Sequence, residues 1–304
     1  MNNYKGAVFI NAFARYESVF YQVNRLTEEF VKENVSLKLI RNDEIHFFID
    51  SNGNIKSDLE KYDFVIYLDK DMYISQMLEK CGYKLFNSSK AIELCDDKML
   101  THVALANSDI SMPKTISFPL CYSYDTDLHT YEQRLLKEFN YPFLIKENYG
   151  SLGKEVYLVN NLNELRLFNE KLLRKPHIFQ EFIQESSGID YRLLLIGHKL
   201  VASMKRVNKQ SYVSNIASGG IGYLFSPSEE MQMMAVKASK ILNLDYCAVD
   251  FVIDKNNKPM LIEVNSNAFF TEIEKVTGIN IAEKYCDYIL KVIKGKDIND
   301  KIGE

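Results

Sequence analysis

Apolar positions change their spacing twice along the chain. GAVFI (Gly6–Ile10) is an unbroken apolar run, whereas Ser18–Lys32 places Val19, Phe20, Val23, Leu26 and Phe30 near a 3.6-residue period. The first spacing predicts a buried strand and the second an amphipathic helix. Leu37–Ile40 and Asp63–Leu68 read as further strands, Asp71–Lys80 as a helix, and Lys84–Phe86 as a short strand. Strands and helices in alternation predict a parallel sheet with helices on its faces. Ile92–Asn107 reads as a second helix-rich stretch and leads to Met112-Pro113. The proline bars any helix from continuing into the extended Lys114–Phe118.

From Tyr141 the strands crowd together. Phe143–Lys146, Glu155–Val159, His177–Phe182, Tyr191–Ile196 and Lys199–Arg206 are strand-like, with turns at Gly150, Gly153 and Gly197-His198. Asn163–Leu173 reads as a helix, and Ser228–Leu242 as another with Ser228 as its N-cap. Tyr246–Ile253 and Pro259–Val264 are strands joined by the polar turn Asp254-Lys255-Asn256-Asn257. Antiparallel pairs with helices on one face predict α+β lobes. The fold class expected is therefore α/β followed by α+β, and no repeat or low-complexity stretch interrupts it.

Bulk properties narrow the function classes. The 304 residues are 46% apolar and 26% charged, enough for about two domains or one large one with lobes. A formal net charge of -4 gives no reason to expect nucleic acid or an acidic membrane as partner. The five cysteines are dispersed without a C-x-x-C pair, which suggests neither a disulfide framework nor zinc. The opening residues lack the features of a secretory signal, and no apolar run is long enough to cross a bilayer. A soluble cytoplasmic protein is the expectation.

The chemistry concentrates in the final strand pair. Asp250 interrupts CAVDFVID, and Glu263 and Asn265 lie in LIEVN. Side chains alternate along a strand, so Glu263 and Asn265 share a face, and pairing through the Asp254–Asn257 turn brings Asp250 opposite them. Two carboxylates and an amide oxygen are hard ligands suited to magnesium, with phosphates completing the shell. An exposed polar hairpin face is the competing reading, but carboxylates inside apolar runs are costly unless paired or metal-bound. Lys146 ends PFLIK just before N-Y-G-S-L-G, where an ammonium and backbone N–H groups could both meet phosphates. A simple hairpin turn accounts for that glycine spacing equally well. Lys98 in CDDKMLTH reads most simply as a helix-surface lysine. Asp190 and Arg192 share a strand face in GIDYR, where a surface ion pair is the plain alternative. Arg206, followed by Ser214-Asn215 and Gly219-Gly220, could meet a phosphoryl group.

Taken in order, CDDKMLTHVALANSDISMPKT, YPFLIKENYGSLGKEVYLV, IFQEFIQESSGIDYRLLLIGHKLVASMKR, SNIASGG, AVDFV and LIEVNSN resemble the ATP-grasp superfamily. Within it the chain is similar to the RimK-like α-L-glutamate ligases and the amino-acid ligases of lysine biosynthesis, over residues 90–290. The resemblance implies a pre-ATP-grasp domain at residues 1–90 and an ATP-grasp domain at 91–304, with lobes meeting near residues 182 and 183. ATP would lie between the lobes with two magnesium ions, manganese being able to substitute. Lys98 and Lys146 would match the nucleotide and phosphate lysines, and Gln180, Glu181, Phe182 and Ile183 the hinge touching adenine. Asp190 would match the ribose-side acid, and Ser214 and Asn215 the phosphate-proximal loop. Arg206 would stabilise the transferred phosphoryl, Arg192 would lie near acceptor or phosphate, and Asp250, Glu263 and Asn265 would bind magnesium. The charges balance on this assignment. ATP and a carboxylate carry about five negative charges, two magnesium ions with Lys98, Lys146 and Arg206 about seven positive, and Asp250 with Glu263 return about two.

Two positions depart from the family pattern. Glu155 stands where relatives often carry a third flap glycine, and Asn265-Ser266-Asn267-Ala268-Phe269-Phe270 replaces a common N-x-S-P-G. The second change puts glutamate in doubt as substrate, with Phe269 and Phe270 read either as an apolar pocket or as core. The function expected is an ADP-forming carboxylate–amine ligase acting through an acyl phosphate on small-molecule or peptide substrates. The competing readings are a catalytically silent ATP-binding module and an unrelated kinase. Association with further copies of the chain is left open.

Overall fold

The computed structural model describes residues 4–123 and 126–295. Its first layer is the expected parallel sheet. Strands β1 (Lys5–Ile10), β2 (Ser36–Arg41), β5 (Phe64–Leu68) and β6 (Leu85–Phe86) run in the order β2-β1-β5-β6. Helices α1 (Glu17–Lys32) and α2 (Met72–Lys80) connect them, and the Asp71 side chain caps α2 by accepting from Tyr73 and Ile74 N–H. A small hairpin, β3 (Phe47–Ile49) with β4 (Ile55–Ser57), was not expected, since three residues per strand are too few to register a period.

The helix-rich stretch Ile92–Asn107 falls into two helices, α3 (Ser89–Asp96) and α4 (Lys98–Leu105). Asp97 separates them in an extended conformation and caps α4, its carboxylate accepting from Met99 and Leu100 N–H at 2.8 and 3.1 Å. A side chain that satisfies the first amides of a new helix offsets the break in the old one.

The second sheet contains β7 (Thr115–Ser117), β8 (Phe143–Glu147), β9 (Val156–Val159) and β10 (His177–Glu181), antiparallel in the order β7-β10-β8-β9. Its strands alternate strictly. Phe143, Ile145, Val159 and Phe179 pack under α5 (His129–Glu138) and α6 (Leu162–Leu172), which leaves Leu144, Lys146 and Gln180 for the other face.

The third sheet holds β11 (Ile189–Ile196), β12 (Lys199–Val207), β13 (Ile221–Leu224), β14 (Tyr246–Ile253) and β15 (Pro259–Asn265), in the order β13-β12-β11-β14-β15. The β11–β12 turn at Gly197-His198 has positive φ at both residues, +55° and +63°, as a two-residue hairpin requires. One face, with Leu193, Leu195, Val249 and Phe251, packs against α3, α4 and α7 (Glu229–Ile241). The other, with Leu194, Ile196, Met204 and Ala248, joins one core with α1, β1, β5, α8 (Thr271–Thr277) and α9 (Ile281–Ile293). Ser228 caps α7 as expected, accepting from Met231 N–H at 3.2 Å. Phe270 is 1% exposed within the shared core, which settles the Phe270 alternative in favour of packing. Among the described residues no helix is long and apolar enough to cross a membrane.

Candidate active site

The site grows out of strand parity. On β11, residues 190, 192, 194 and 196 share a face; Leu194 and Ile196 are core, and Asp190 and Arg192 continue that stripe toward the cleft. The same face carries Met204 and Arg206 on β12 and Ala248 and Asp250 on β14. Register then decides the partners: Asp190 lies opposite Arg206, and Arg192 opposite Asp250. Asp190 and Arg192 therefore do not form the surface pair weighed above; each binds across to a neighbouring strand.

These pairs are close and buried. The Arg206 guanidinium donates to both Asp190 oxygens at 2.6 and 2.5 Å, and to Asp250 Oδ2 at 3.0 Å. Arg192 donates to both Asp250 oxygens at 2.8 and 2.6 Å. Ser214 Oγ donates to Asp190 Oδ2 at 2.5 Å. Burial works against the Arg206 charge, but Asp190 and Asp250 outweigh it and hold its pKa above the ordinary value. Burial likewise opposes ionisation of Asp250, and Arg192 and Arg206 reverse this, keeping its carboxyl below the usual range.

The final hairpin forms with Asp250 opposite Glu263 and Ala248 opposite Asn265. A bulge between Asp250 and Phe251 inserts Ile262. That one residue keeps Leu261 and Val264 in the core while turning Glu263 and Asn265 to the face of Asp250. Glu263 stays open to the cleft, with Lys98 Nζ 3.7 Å away. Burial disfavours its charge, yet Lys98 and Lys146 overcome burial and the repulsion of Asp250, and its carboxyl titrates below its usual range. As a magnesium site the donor set fits. Asp250 Oδ1 takes a single hydrogen bond, and Asn265 donates through Nδ2 to Asp250 Oδ2 at 3.4 Å, leaving its own carbonyl oxygen available.

The other wall comes from the second sheet. Lys98 is 8% exposed, not a helix-surface lysine, because its N–H bonds Asn148 O at 3.1 Å and its Nζ reaches Gly150 O at 2.6 Å. Lys146 Nζ donates to Gln180 Oε1 at 2.6 Å, and burial lowers the lysine pKa to about 8, Lys98 adding to that and Glu263 opposing it. The Gln180 amide nitrogen lies 2.9 Å from Thr115 Oγ1 and 3.0 Å from His102 Nε2. The glycine turn reaches across the cleft. Tyr212 Oη donates to Val156 O at 2.9 Å, and Ser218 Oγ to Leu152 O at 3.2 Å. Glu155 accepts from Ser151 N–H at 3.0 Å, bracing the turn from within.

Between these walls is a cleft of about 850 Å³, open to solvent. Lys98, Lys146, Gln180, Glu181, Phe182, Ile183, Asp190, Arg206, Ser214, Asn215, Asp250 and Glu263 line it. Arg192 and Asn265 are not among the residues lining it; each adjoins it through a hydrogen bond to Asp250. Leu144, Val156, Val252 and Ile262 add apolar walls, and only the parity of their strands could have pointed to them.

Residues 95–289 match the RimK-like ATP-grasp domain. The chain belongs to that family. It is 28% identical over 285 residues to the MG012 homolog of Mycoplasma pneumoniae, covering 91% of this chain and 96% of that protein. A probable alpha-L-glutamate ligase of Maridesulfovibrio salexigens is 34% identical over 72% of this chain and 71% of its own length. The beta-citrylglutamate synthase B of Danio rerio is 29% identical over 75% of this chain, which spans only 56% of that synthase. In fold the chain is similar to the D-alanine–D-alanine ligase of Bacillus anthracis, with a TM-score of 0.71 over 97% of this chain and 100% of that one at 17% identity. It is likewise similar to the ATP-grasp ligase PsnB, solved with a precursor variant, Mg and ADP, at 0.66 over 95% and 98% and 16% identity. The fold is thus that of the ATP-grasp ligases, with the parallel layer ahead of the two lobes.

Proposed function

We propose that the chain is an ADP-forming carboxylate–amine ligase. One observation carries this reading: a single cleft gathers Lys98, Lys146 and Arg206 with Asp250 and Glu263. ATP lies between the two antiparallel sheets, its base against Leu144, Val156 and the strand end Gln180–Ile183, its phosphates toward Lys98, Lys146 and Arg206. Asp250, Glu263 and Asn265 would hold magnesium, which would supply charge neutralisation for the phosphates. Asp190 and Arg192 add one charge of each sign, which leaves the balance near neutral. Asp190 has both oxygens engaged by Arg206 and Ser214, so its part is chiefly to orient the arginine.

In the reaction, a carboxylate oxygen of the acid attacks the γ-phosphorus and ADP leaves. The resulting acyl phosphate is attacked by an amine, phosphate departs, the nitrogen loses a proton, and an amide remains. Arg206, pre-aligned by two carboxylates, meets the phosphoryl charge without reorganising, which is where electrostatic catalysis is largest. Residues 1–90, bordering the shared core, would contribute to the acid or amine site as a pre-ATP-grasp domain, with 91–304 as the catalytic domain.

A phosphate-release screen over acid and amine pairs, with glutamate among the amines, tests this. ADP should appear together with the amide, and hydroxylamine should trap an acyl hydroxamate when amine is withheld. Pyrophosphate and AMP as products would overturn the reading.

A further inference from the structure

His102 is buried on α4 and closes the CDDKMLTH segment, in which only Lys98 was given a role. Its Nδ1 lies 2.7 Å from Lys98 O, one turn back. A carbonyl only accepts, so Nδ1 carries the proton, and Nε2 of the neutral ring presents a lone pair. That lone pair faces Gln180 Nε2 at 3.0 Å. The same amide nitrogen donates to Thr115 Oγ1 at 2.9 Å, which uses its second hydrogen. Gln180 Oε1 is left to point at Lys146 Nζ, 2.6 Å away. Turning the amide over would set its NH2 against the ammonium and its oxygen against the imidazole lone pair, two repulsions in place of two bonds.

We propose that His102 is a positioning residue of the nucleotide site, fixing which way the Gln180 amide faces and thereby where the Lys146 ammonium is held. The inference rests on the ATP-binding reading of the cleft. Among the described residues no carboxylate lies within hydrogen-bonding range of Lys146, so the amide oxygen is the fixed point of its charge. An acceptor at residue 102 is what keeps that oxygen in place.

Protonating His102 would convert Nε2 into a donor and favour the turned amide. The charged groups around the ring are Lys98 on its own helix, Lys146 on β8 and Glu263 on β15, and burial keeps the ring neutral below its ordinary titration range. Nucleotide affinity should therefore weaken on the acid side as the ring charges.

Calorimetric titration of the full chain with MgATP tests this through His102→Leu, which removes the acceptor, and His102→Gln, which restores one. The Leu variant should bind about tenfold more weakly, the loss expected for one buried charge-linked hydrogen bond, and the Gln variant within about threefold of the wild type. The wild type should lose affinity at acid pH beyond any loss in the Gln variant. Nitrogen-15 spectra should place the His102 proton on Nδ1. Equal affinity in the Leu variant, a Gln variant as weak as Leu, or a proton on Nε2 would each overturn the assignment. If the Leu variant does not fold, the tautomer and the comparison of wild type with Gln decide it. A wild type that binds no MgATP refutes the nucleotide reading itself.

Discussion

Asp190 and Arg206 face each other in register across β11 and β12 and close a two-pronged pair in a position almost without solvent. Arg206 also reaches Asp250, so one guanidinium ties two carboxylates on three adjacent strands. Breaking a buried pair on one side strands the other charge, at about 3–5 kcal/mol. Asp190→Asn should therefore lower the melting temperature by several degrees. Arg206→Met should lower it too, by leaving Asp190 without its cation and Asp250 with Arg192 alone, and should also remove turnover. Scanning calorimetry with the double variant measures the coupling. Strictly additive losses would mean the pair does not act as a unit.

Glu263 is placed differently, being open to the cleft with one lysine at 3.7 Å. Its removal should leave folding intact and remove a phosphate-facing oxygen ligand. Glu263→Ala is expected to keep the wild-type melting temperature and lose about 10²–10³-fold in turnover. Phosphate release at saturating ATP and magnesium checks this. An active variant would return Glu263 to a plain polar position.

The hairpin carrying Glu263 was legible in advance because its signals are local. Asp254–Asn257 reads as a turn, and parity over a handful of residues places Asp250, Glu263 and Asn265 together. Ser228 is legible for the same reason, since a cap acts within three residues. Sheet order is not local. Asp190 and Arg192 look like each other's partners along β11, and only the neighbours β12 and β14 reveal that each pairs outward. Gln180 and His102 meet across 78 positions, and nothing in either segment encodes the other. The break at Asp97 is not legible either, because a helical apolar period runs through it on both sides and its capping of α4 depends on a backbone break that periodicity does not register.

Gly153 has φ +75°, and a Cβ there would lie 2.7 Å from Asn215 Oδ1. The turn thus seats against the opposite lobe only because the side chain is absent. Gly153→Ala should incur about 1 kcal/mol or more of backbone strain and push the turn away from Asn215. Weaker MgATP binding and faster proteolysis within residues 149–156 in the presence of nucleotide are expected, with global stability nearly unchanged. Nucleotide protection equal to that of the wild type would mean the turn need not seat there.

Lys146 supplies a pH dependence whose two signs oppose each other. Burial lowers its pKa from 10.5 to about 8. Between those values the unfolded chain binds more protons than the folded one, so stability rises with pH across that window, and the penalty is complete below it. Nucleotide binding needs the ammonium, so affinity for MgATP should fall as pH climbs through about 8 and onward to the higher pKa that bound phosphates impose. Lys146→Arg removes the titration while keeping the charge. Its affinity should be flat from pH 7 to 9.5 even if weaker throughout, because a guanidinium cannot reproduce a point ammonium against Gln180. Calorimetry across that range decides it: an alkaline decline that persists in Lys146→Arg assigns the titration to another group.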